Sequence, residues 1–536
     1  MKKKFYLMLG SILLFSAVLC IVLQWNHEKT IAASTIGMEQ QAIFEELSDF
    51  PEDIGISLLF QGVEVPFDRQ KQIYYLPWNT KVDCVNQTGF SLSVNQLELF
   101  WCEDSYWEDL EEAIAQGHEF TFYVSDGSMA RKQKIVFTGL PMMKLDTIEV
   151  TDEETSFCKV TVYDPFHHEN GVYELIGCNG YLRLRGKTSK SFPKKGFNLD
   201  LVKASGEAFK TNLFGLREDD DWKLNALYPD ATKVREAVCM ELWEELAAQT
   251  ESVHDKGTNM EYFELFSDGD YRGIYGAMEQ LDFKQFSLDQ SEDVIYKGYA
   301  WPLEGNIDKA TLHSAADYCG HWIKTGGQPI SEELWRPFVE YADAANFMEQ
   351  QEICDTEAFY EYVQAHMDMD NFLNLELYVQ LLYAFDNKYK NLYIATDLQD
   401  NGDYTMFRIP WDLNYSFGDR YSVENTALTI YNKEWALEVM PHFMMSETLL
   451  AAGNEAFAQS LNEKWEELKK TVFATEHVRE TAEYYLNQLT SSGAFERDRN
   501  RWPDGPHDTS LEEMLDFHDT RLNYLDQHYQ SFLEQP

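Results

Sequence analysis

Between Gly55 and Thr147 the chain alternates short apolar runs with polar turns: ISLLF, QIYYLPW, SLSVNQLELFW, FTFYVSDGS and KIVFTGLP, with Asp126-Gly127 as a turn signal. Runs this short with a period of two predict strands, here of a small β-sandwich-like domain over residues 55–145. After Leu145 the pattern is mixed. TIEV, CKVTVYD, GYLRLRG and GFNLDLV predict further strands, whereas Val234, Val238, Leu242 and Leu246 recur at helical spacing behind Asp230 or Thr232 as a cap. YFELFSDGDYRGIYGAMEQL predicts a hairpin turning at Asp268-Gly269. NLYIAT and YTMFRI bracket a second hairpin turn, Asp397 to Asp403, and the stretches Leu303 to Phe385 and Glu447 to Phe532 read as largely helical. The expected class is α+β, with a larger mixed domain over 146–536.

The first 25 residues, MKKKFYLMLGSILLFSAVLCIVLQW, place three Lys before an uncharged apolar run. Such a run is long enough to span a bilayer as a helix, and the Lys keep its start in the cytoplasm. The expectation is a membrane anchor over 1–25, a juxtamembrane linker over 26–54 and everything after it outside the cytoplasm. Cleavage near IAAS, Ile31 to Ser34, would instead make the chain secreted.

Composition narrows the partners. Hydrophobic residues are 44% and aromatics 14% of the chain, which excludes a disordered protein. With 44 basic and 91 acidic residues the formal charge is −47, so general nucleic-acid binding is not expected. The sign inverts locally from Arg183 to Lys203, where Arg183, Arg185, Lys187, Lys190, Lys194, Lys195 and Lys203 face Asp200 alone. The eight Cys show no zinc-ligand spacing; Cys84 and Cys102 could pair in an oxidising compartment, but buried reduced thiols suit most of them better.

Candidate chemistry lies in AFDNKYKNLYIATDLQDNGDYTMFRIPWDLNYSFG, Ala384 to Gly418. Asp386 and Asn391 have the D-x-x-x-x-N spacing of a protein-kinase catalytic loop, where Asp orients the acceptor hydroxyl and Asn holds a metal ion. A hairpin follows, then Asp412, where a kinase places its second metal-binding Asp. An acid within the mostly apolar run Met406 to Phe417 needs a partner or a cation. The basic loop, with Arg183, Arg185, Lys187 and Lys195, is the complementary half, able to hold a triphosphate. Gly186-Lys187-Thr188 is not a P-loop, since Tyr181 stands where that motif needs Gly. Glu279 is a candidate to orient a phosphate-binding Lys, and Lys297 a candidate phosphate or adenine-side contact. HExxH, GxSxG and GxGxxG motifs are absent, and His167-His168 is a lone pair in a polar stretch.

Together GYLRLRGKTSKSFPKKGFNLDL, DDWKLNALYPDATKVREAV, YFELFSDGDYRGIYGAMEQLD, FDNKYKNLYIATD and RIPWDLNYSFG resemble, in order, the spore coat protein H (CotH) kinase family of secreted or envelope-associated atypical protein kinases. The resemblance implies an atypical protein-kinase-like fold, ATP with Mg2+ or Mn2+, and phosphorylation of Ser or Thr on an envelope or coat protein. It implies Asp386 as the catalytic acid, with Asn391 and Asp412 on the metal side. It also puts Arg185 and Lys195 in the basic loop and Arg235 on the helix after DDWKL. The family often has a second Asp two places beyond the metal-binding one; here that place holds Asn414, which offers an oxygen but no charge. The departure keeps open a catalytically inactive kinase-like scaffold of the envelope or coat. Transfer of a nucleotide fragment such as AMP is a third reading.

Overall fold

Alternation within the strands that follow Leu140 closes a barrel. In the computed structural model, which describes residues 35–51, 54–81, 89–151, 155–167, 173–186, 188–249, 257–298, 318–319, 322–325, 336–337, 340, 356–388, 390–399, 401–421, 428–430 and 444–534, its strands are Met142–Val150 (β1), Thr155–Asp164 (β2), Glu174–Leu184 (β3), Phe197–Val202 (β4), Asp221–Asn225 (β5), Met260–Ser267 (β6) and Asp270–Glu279 (β7). They run in the order β1-β2-β3-β4-β5-β7-β6, and the parallel pairing of β6 with β1 seals the ring. Leu199 and Leu201 of β4, Trp222 and Leu224 of β5 and Phe263 and Leu265 of β6 fill the interior. The intervening Asn198, Asp200, Asp221 and Lys223 face outward, as a period of two requires. The β6–β7 hairpin turns where expected: Asp268 and Gly269 both have positive φ, 52° and 75°, the mirror-image turn that matches strand twist.

Upstream of the barrel lie a six-stranded and a three-stranded sheet. Their apolar core continues into Met142, Tyr163, Phe266 and Tyr271 of the barrel, and Tyr75 stacks on Tyr271 with ring centroids 5.7 Å apart. The helix Leu110–Gln116 within this region interrupts the expected run of strands. Asp109 caps it by accepting from Glu112 N, and Gly117 ends it in the left-handed conformation.

Downstream, Val294–Gly298 (β8), Trp322–Thr325 (β9), Leu392–Leu398 (β10) and Tyr404–Pro410 (β11) form a sheet with Tyr318–Cys319, in the order Tyr318–Cys319, β9, β8, β10, β11. The helices used below are Arg235–Ala248 (α1), Met369–Leu382 (α2), Glu455–Leu468 (α3), Thr475–Ser491 (α4), Ala494–Arg501 (α5) and Glu512–Glu534 (α6). Strand β9 departs from the helical reading of Leu303 to Phe385, because its four residues pair with β8 and tertiary pairing overrides local preference. Helix α1 begins later than Asp230. The Asp230 carboxylate first accepts from Thr232 N at 3.0 Å and then from Arg235 N at 2.8 Å, which holds a turn ahead of the helix. Val234, Val238, Leu242 and Leu246 are all fully buried. Helix α2 is buried on every side, and its Asn371 exchanges hydrogen bonds with the backbone of Arg408 in β11 at 2.8 and 2.7 Å.

The membrane-anchored placement expected from the N-terminal run is corrected. Among the described residues no helix is long and apolar enough to cross a membrane. The longest of them, α6 with 23 residues, carries acids or bases in every turn. The run itself, residues 1–25, lies outside the described residues. Cys84 lies outside them too, and Cys102 is a buried free thiol whose pKa burial pushes up to about 11.

Helix α5 locks the C-terminal helices to the barrel. Arg497 makes two bonds to Glu264 of β6, each 2.8 Å, with both side chains buried. Removing one member of such a pair strands the other charge. Arg497→Met is expected to cost about 3–5 kcal/mol of unfolding free energy, read from urea denaturation of the full chain. A loss below about 1 kcal/mol, the range of an exposed pair, would mean that the bridge carries no net stability.

Candidate functional site

The acidic half is built on a turn between α2 and β10. Asp386 sits in the short helical turn Phe385–Lys388, and its carboxylate is 2.7 Å from Lys390 Nζ. Asn391, at φ 55°, donates its backbone N–H to Gly298 O at 3.1 Å and accepts from Trp411 N at 2.9 Å. Asp412 follows at φ 59°. Asn and Asp tolerate this left-handed region better than other non-glycine residues, which is one reason these types can stand here. The Asn391 amide lies 3.4 Å from Asp412 Oδ2. Asn387 ties the two segments: its Nδ2 donates to Asn391 O at 2.7 Å and to Trp411 O at 2.9 Å. Asn414 is buried on the turn that follows.

The cationic half comes from the outer face of the barrel. Lys223 projects from β5 between Asn198 and Met278 on the neighbouring strands. Burial lowers its pKa to about 8; the nearby Arg185 and Lys297 act in the same direction, and Asp221 opposes them. Arg185, at the mouth of the basic loop, places a guanidinium nitrogen 3.7 Å from Met278 Sδ and its guanidinium 5.7 Å from the Trp411 ring centre. Lys297 of β8 has its ammonium 4.9 Å from the Tyr393 ring centre, and Tyr393 meets Trp411 edge-on at 6.1 Å. A string of rings and cations thus runs from β8 to the basic loop, directly before Asp412.

The remaining expected residues lie elsewhere or are tied up. Arg183 pairs with Asp200 at 2.5 Å on an exposed face. Lys195 donates to Lys190 O at 2.6 Å and so closes the basic loop on itself. Arg235 is buried against Asp230 and Asp419, at 2.6 and 3.2 Å, so its charge is matched within the fold. Glu279 accepts from Arg217 N at 2.9 Å and lines a separate cavity of about 310 Å³ with Glu241 and Glu261. Lys187 lies outside the described residues.

Lys223, Asn387 and Glu236 escaped the sequence reading. Lys223 is signalled only as an outward position between Trp222 and Leu224, and Asn387 by nothing beyond its place next to Asp386. Glu236 is the second residue of α1 and is fully buried. Its Oε1 accepts from Leu413 N at 3.1 Å, while its Oε2 has no hydrogen-bond partner. Burial first, and then the charge of Asp412, push this carboxyl's pKa up, with Arg185 acting the other way.

The donor set suits a hard cation shared with phosphates better than a self-contained cage. Among the described residues no three His, Cys, Asp or Glu side chains gather as a metal site. Mg2+ is ordinarily held by one or two carboxylates together with substrate phosphates, and Asp412 beside the Asn391 amide fits that pattern. The chain matches the model of the CotH kinase protein family over residues 182–525, from β3 into α6. No curated protein matches it.

The state of Lys223 sets a pH dependence. A polyanion binds the protonated ammonium, which is present below about pH 8 and lost above it. Affinity for pyrophosphate, measured by calorimetry, is expected to fall as pH rises past 8, by up to about tenfold per unit. Lys223→Met should weaken binding at pH 7 and flatten this dependence. A flat profile in the parent protein would remove Lys223 from the site.

Proposed function

This chain belongs to the CotH kinase family, and we propose that it is a protein kinase, dependent on a divalent metal, that moves the γ-phosphoryl group of ATP to a Ser or Thr hydroxyl of a protein. The observation that carries this reading is the separation of charge within one site. The Arg185 guanidinium stands 5.7 Å from the Trp411 ring centre, directly before Asp412, the Asn391 amide is 3.4 Å from Asp412 Oδ2, and Lys223 and Lys297 join Arg185 on the cationic side. A metal nucleotide is complementary to such a site, with its phosphates toward the cations and its metal toward the carboxylate.

In this reading Arg185, Lys223 and Lys297 hold the phosphates. Asp412 and the side-chain oxygen of Asn391 would hold Mg2+ or Mn2+, with Asn414 next to them, and the ion would supply neutralisation of phosphate charge. Asp386 takes the acceptor hydroxyl's proton as that oxygen bonds to the γ-phosphorus and the bond to the bridging oxygen breaks, releasing ADP. Lys390 holds the Asp386 carboxylate and offsets its repulsion from the polyphosphate. The barrel with α1, set against the sheet and helices that follow, supports a kinase-like division into two lobes.

A scaffold without turnover is the second reading, favoured by the uncharged Asn414. The full chain incubated with γ-labelled ATP and Mn2+ or Mg2+ is expected to label itself or a generic protein. Asp386→Ala and Asp412→Ala should each lower the rate about a hundredfold or more. A folded protein that transfers no label and shows no metal-dependent binding of ADP by calorimetry would support the scaffold. The mass of the modified product separates phosphoryl from nucleotidyl transfer.

A further inference from the structure

We propose that Glu236 is a ligand of the divalent metal, supplying with Asp412 the second carboxylate that Asn414 does not. The inference rests on the metal-dependent reading above and concerns a residue on a different element, the first turn of α1.

Glu236 is held in place by one oxygen and open at the other. Oε1 is fixed by the backbone N–H of Leu413, the residue directly after Asp412. Oε2 is buried and has no hydrogen-bond partner, although the backbone N–H of Asn414 also acts on the carboxyl. A buried carboxyl oxygen without a partner costs free energy comparable to a lost hydrogen bond, and more if charged. Two carboxyl groups that feel each other in a buried setting are relieved by a shared proton or by a cation. Here the second carboxyl is Asp412, which stands beside an amide and near Arg185. Oε2, on a carboxyl pinned to the residue directly after Asp412, is therefore an oxygen available to a hard cation held there, with the remaining positions left to phosphate and water. The same bond to Leu413 N sets the backbone beyond Asp412, so α1 is coupled to the metal both through a ligand and through that turn.

The test is titration of Mn2+ alone into the full chain, followed by electron paramagnetic resonance of the free ion and by calorimetry. Glu236→Gln keeps the shape and an oxygen for Leu413 N while removing the charge. It is expected to weaken Mn2+ binding by about tenfold or more without changing affinity for metal-free pyrophosphate. Unchanged Mn2+ affinity in a folded Gln variant would overturn the proposal and leave Glu236 as a neutral brace sharing a proton. If the Gln variant does not fold, Glu236→Asp keeps the charge but withdraws it by one methylene; weaker Mn2+ binding supports the proposal and unchanged binding opposes it. Asp412→Ala separates the two levels. If it abolishes Mn2+ binding while Glu236→Gln does not, only the role of Glu236 falls. If neither variant matters, the metal-dependent reading of the site falls with it.

Discussion

The side-chain N–H bonds of Asn387 reach the carbonyl oxygens of Asn391 and Trp411, at 2.7 and 2.9 Å, and tie the loop that carries Asp386 to the strand end that carries Asp412. The backbone bond from Trp411 N to Asn391 O, at 2.9 Å, joins the same two segments. Both Asn391 and Asp412 hold left-handed backbone conformations, which persist only where the surroundings over-determine them. The amide is 1% exposed, so its loss would leave two carbonyl groups with fewer partners in the interior, at about 1–3 kcal/mol for each one left unsatisfied. A neutral residue thus joins the two segments of the acidic half.

The cationic half depends on a different kind of constraint. The basic loop is anchored from below by Lys194, whose ammonium meets Asp498 of α5 at 2.6 Å with both side chains out of solvent. Asp498 also accepts from Ile274 N at 2.9 Å and lies 3.1 Å from His507. Burial acts to raise its pKa, but Lys194 and His507 hold it well below the usual carboxylate range. Gly273 makes this approach possible. A Cβ there would lie 2.0 Å from Asp498 Oδ1, at a φ of 93°. The loop that bears Arg185 is thus a fixed platform resting on the C-terminal helices as well as a hairpin of the barrel.

Local chemistry made much of this legible in the sequence. Alternation in GFNLDLV and DDWKL, the Asp268-Gly269 turn and the helical spacing of Val234 to Leu246 depend on near neighbours, and these elements appear as the pattern requires. The juxtaposition of Asn391 with Asp412 was also within reach, because a short hairpin brings them together. Long-range partnerships were not legible. Arg235 has a near neighbour in Asp230, but its second partner, Asp419, comes from 184 positions away along the chain. Glu236 is a helix acid whose place is set by the N–H of Leu413, 177 positions away, and Lys223 gains its meaning only from Arg185 and Lys297 on other segments. The pairing of Trp322–Thr325 with Val294–Gly298 is likewise a tertiary event within a stretch whose composition favours helix.

The bond between Lys194 and Asp498 spans 304 positions of the chain. A ribosome releases the basic loop long before it makes the carboxylate that seats it, and the long-range contact forms only after intervening segments have been synthesised. Until α5 arrives, the ammonium of Lys194 has no buried counter-charge and stays in water. The seating of the basic loop is therefore among the last steps in completing the molecule, since it waits for a carboxylate near the end of the chain.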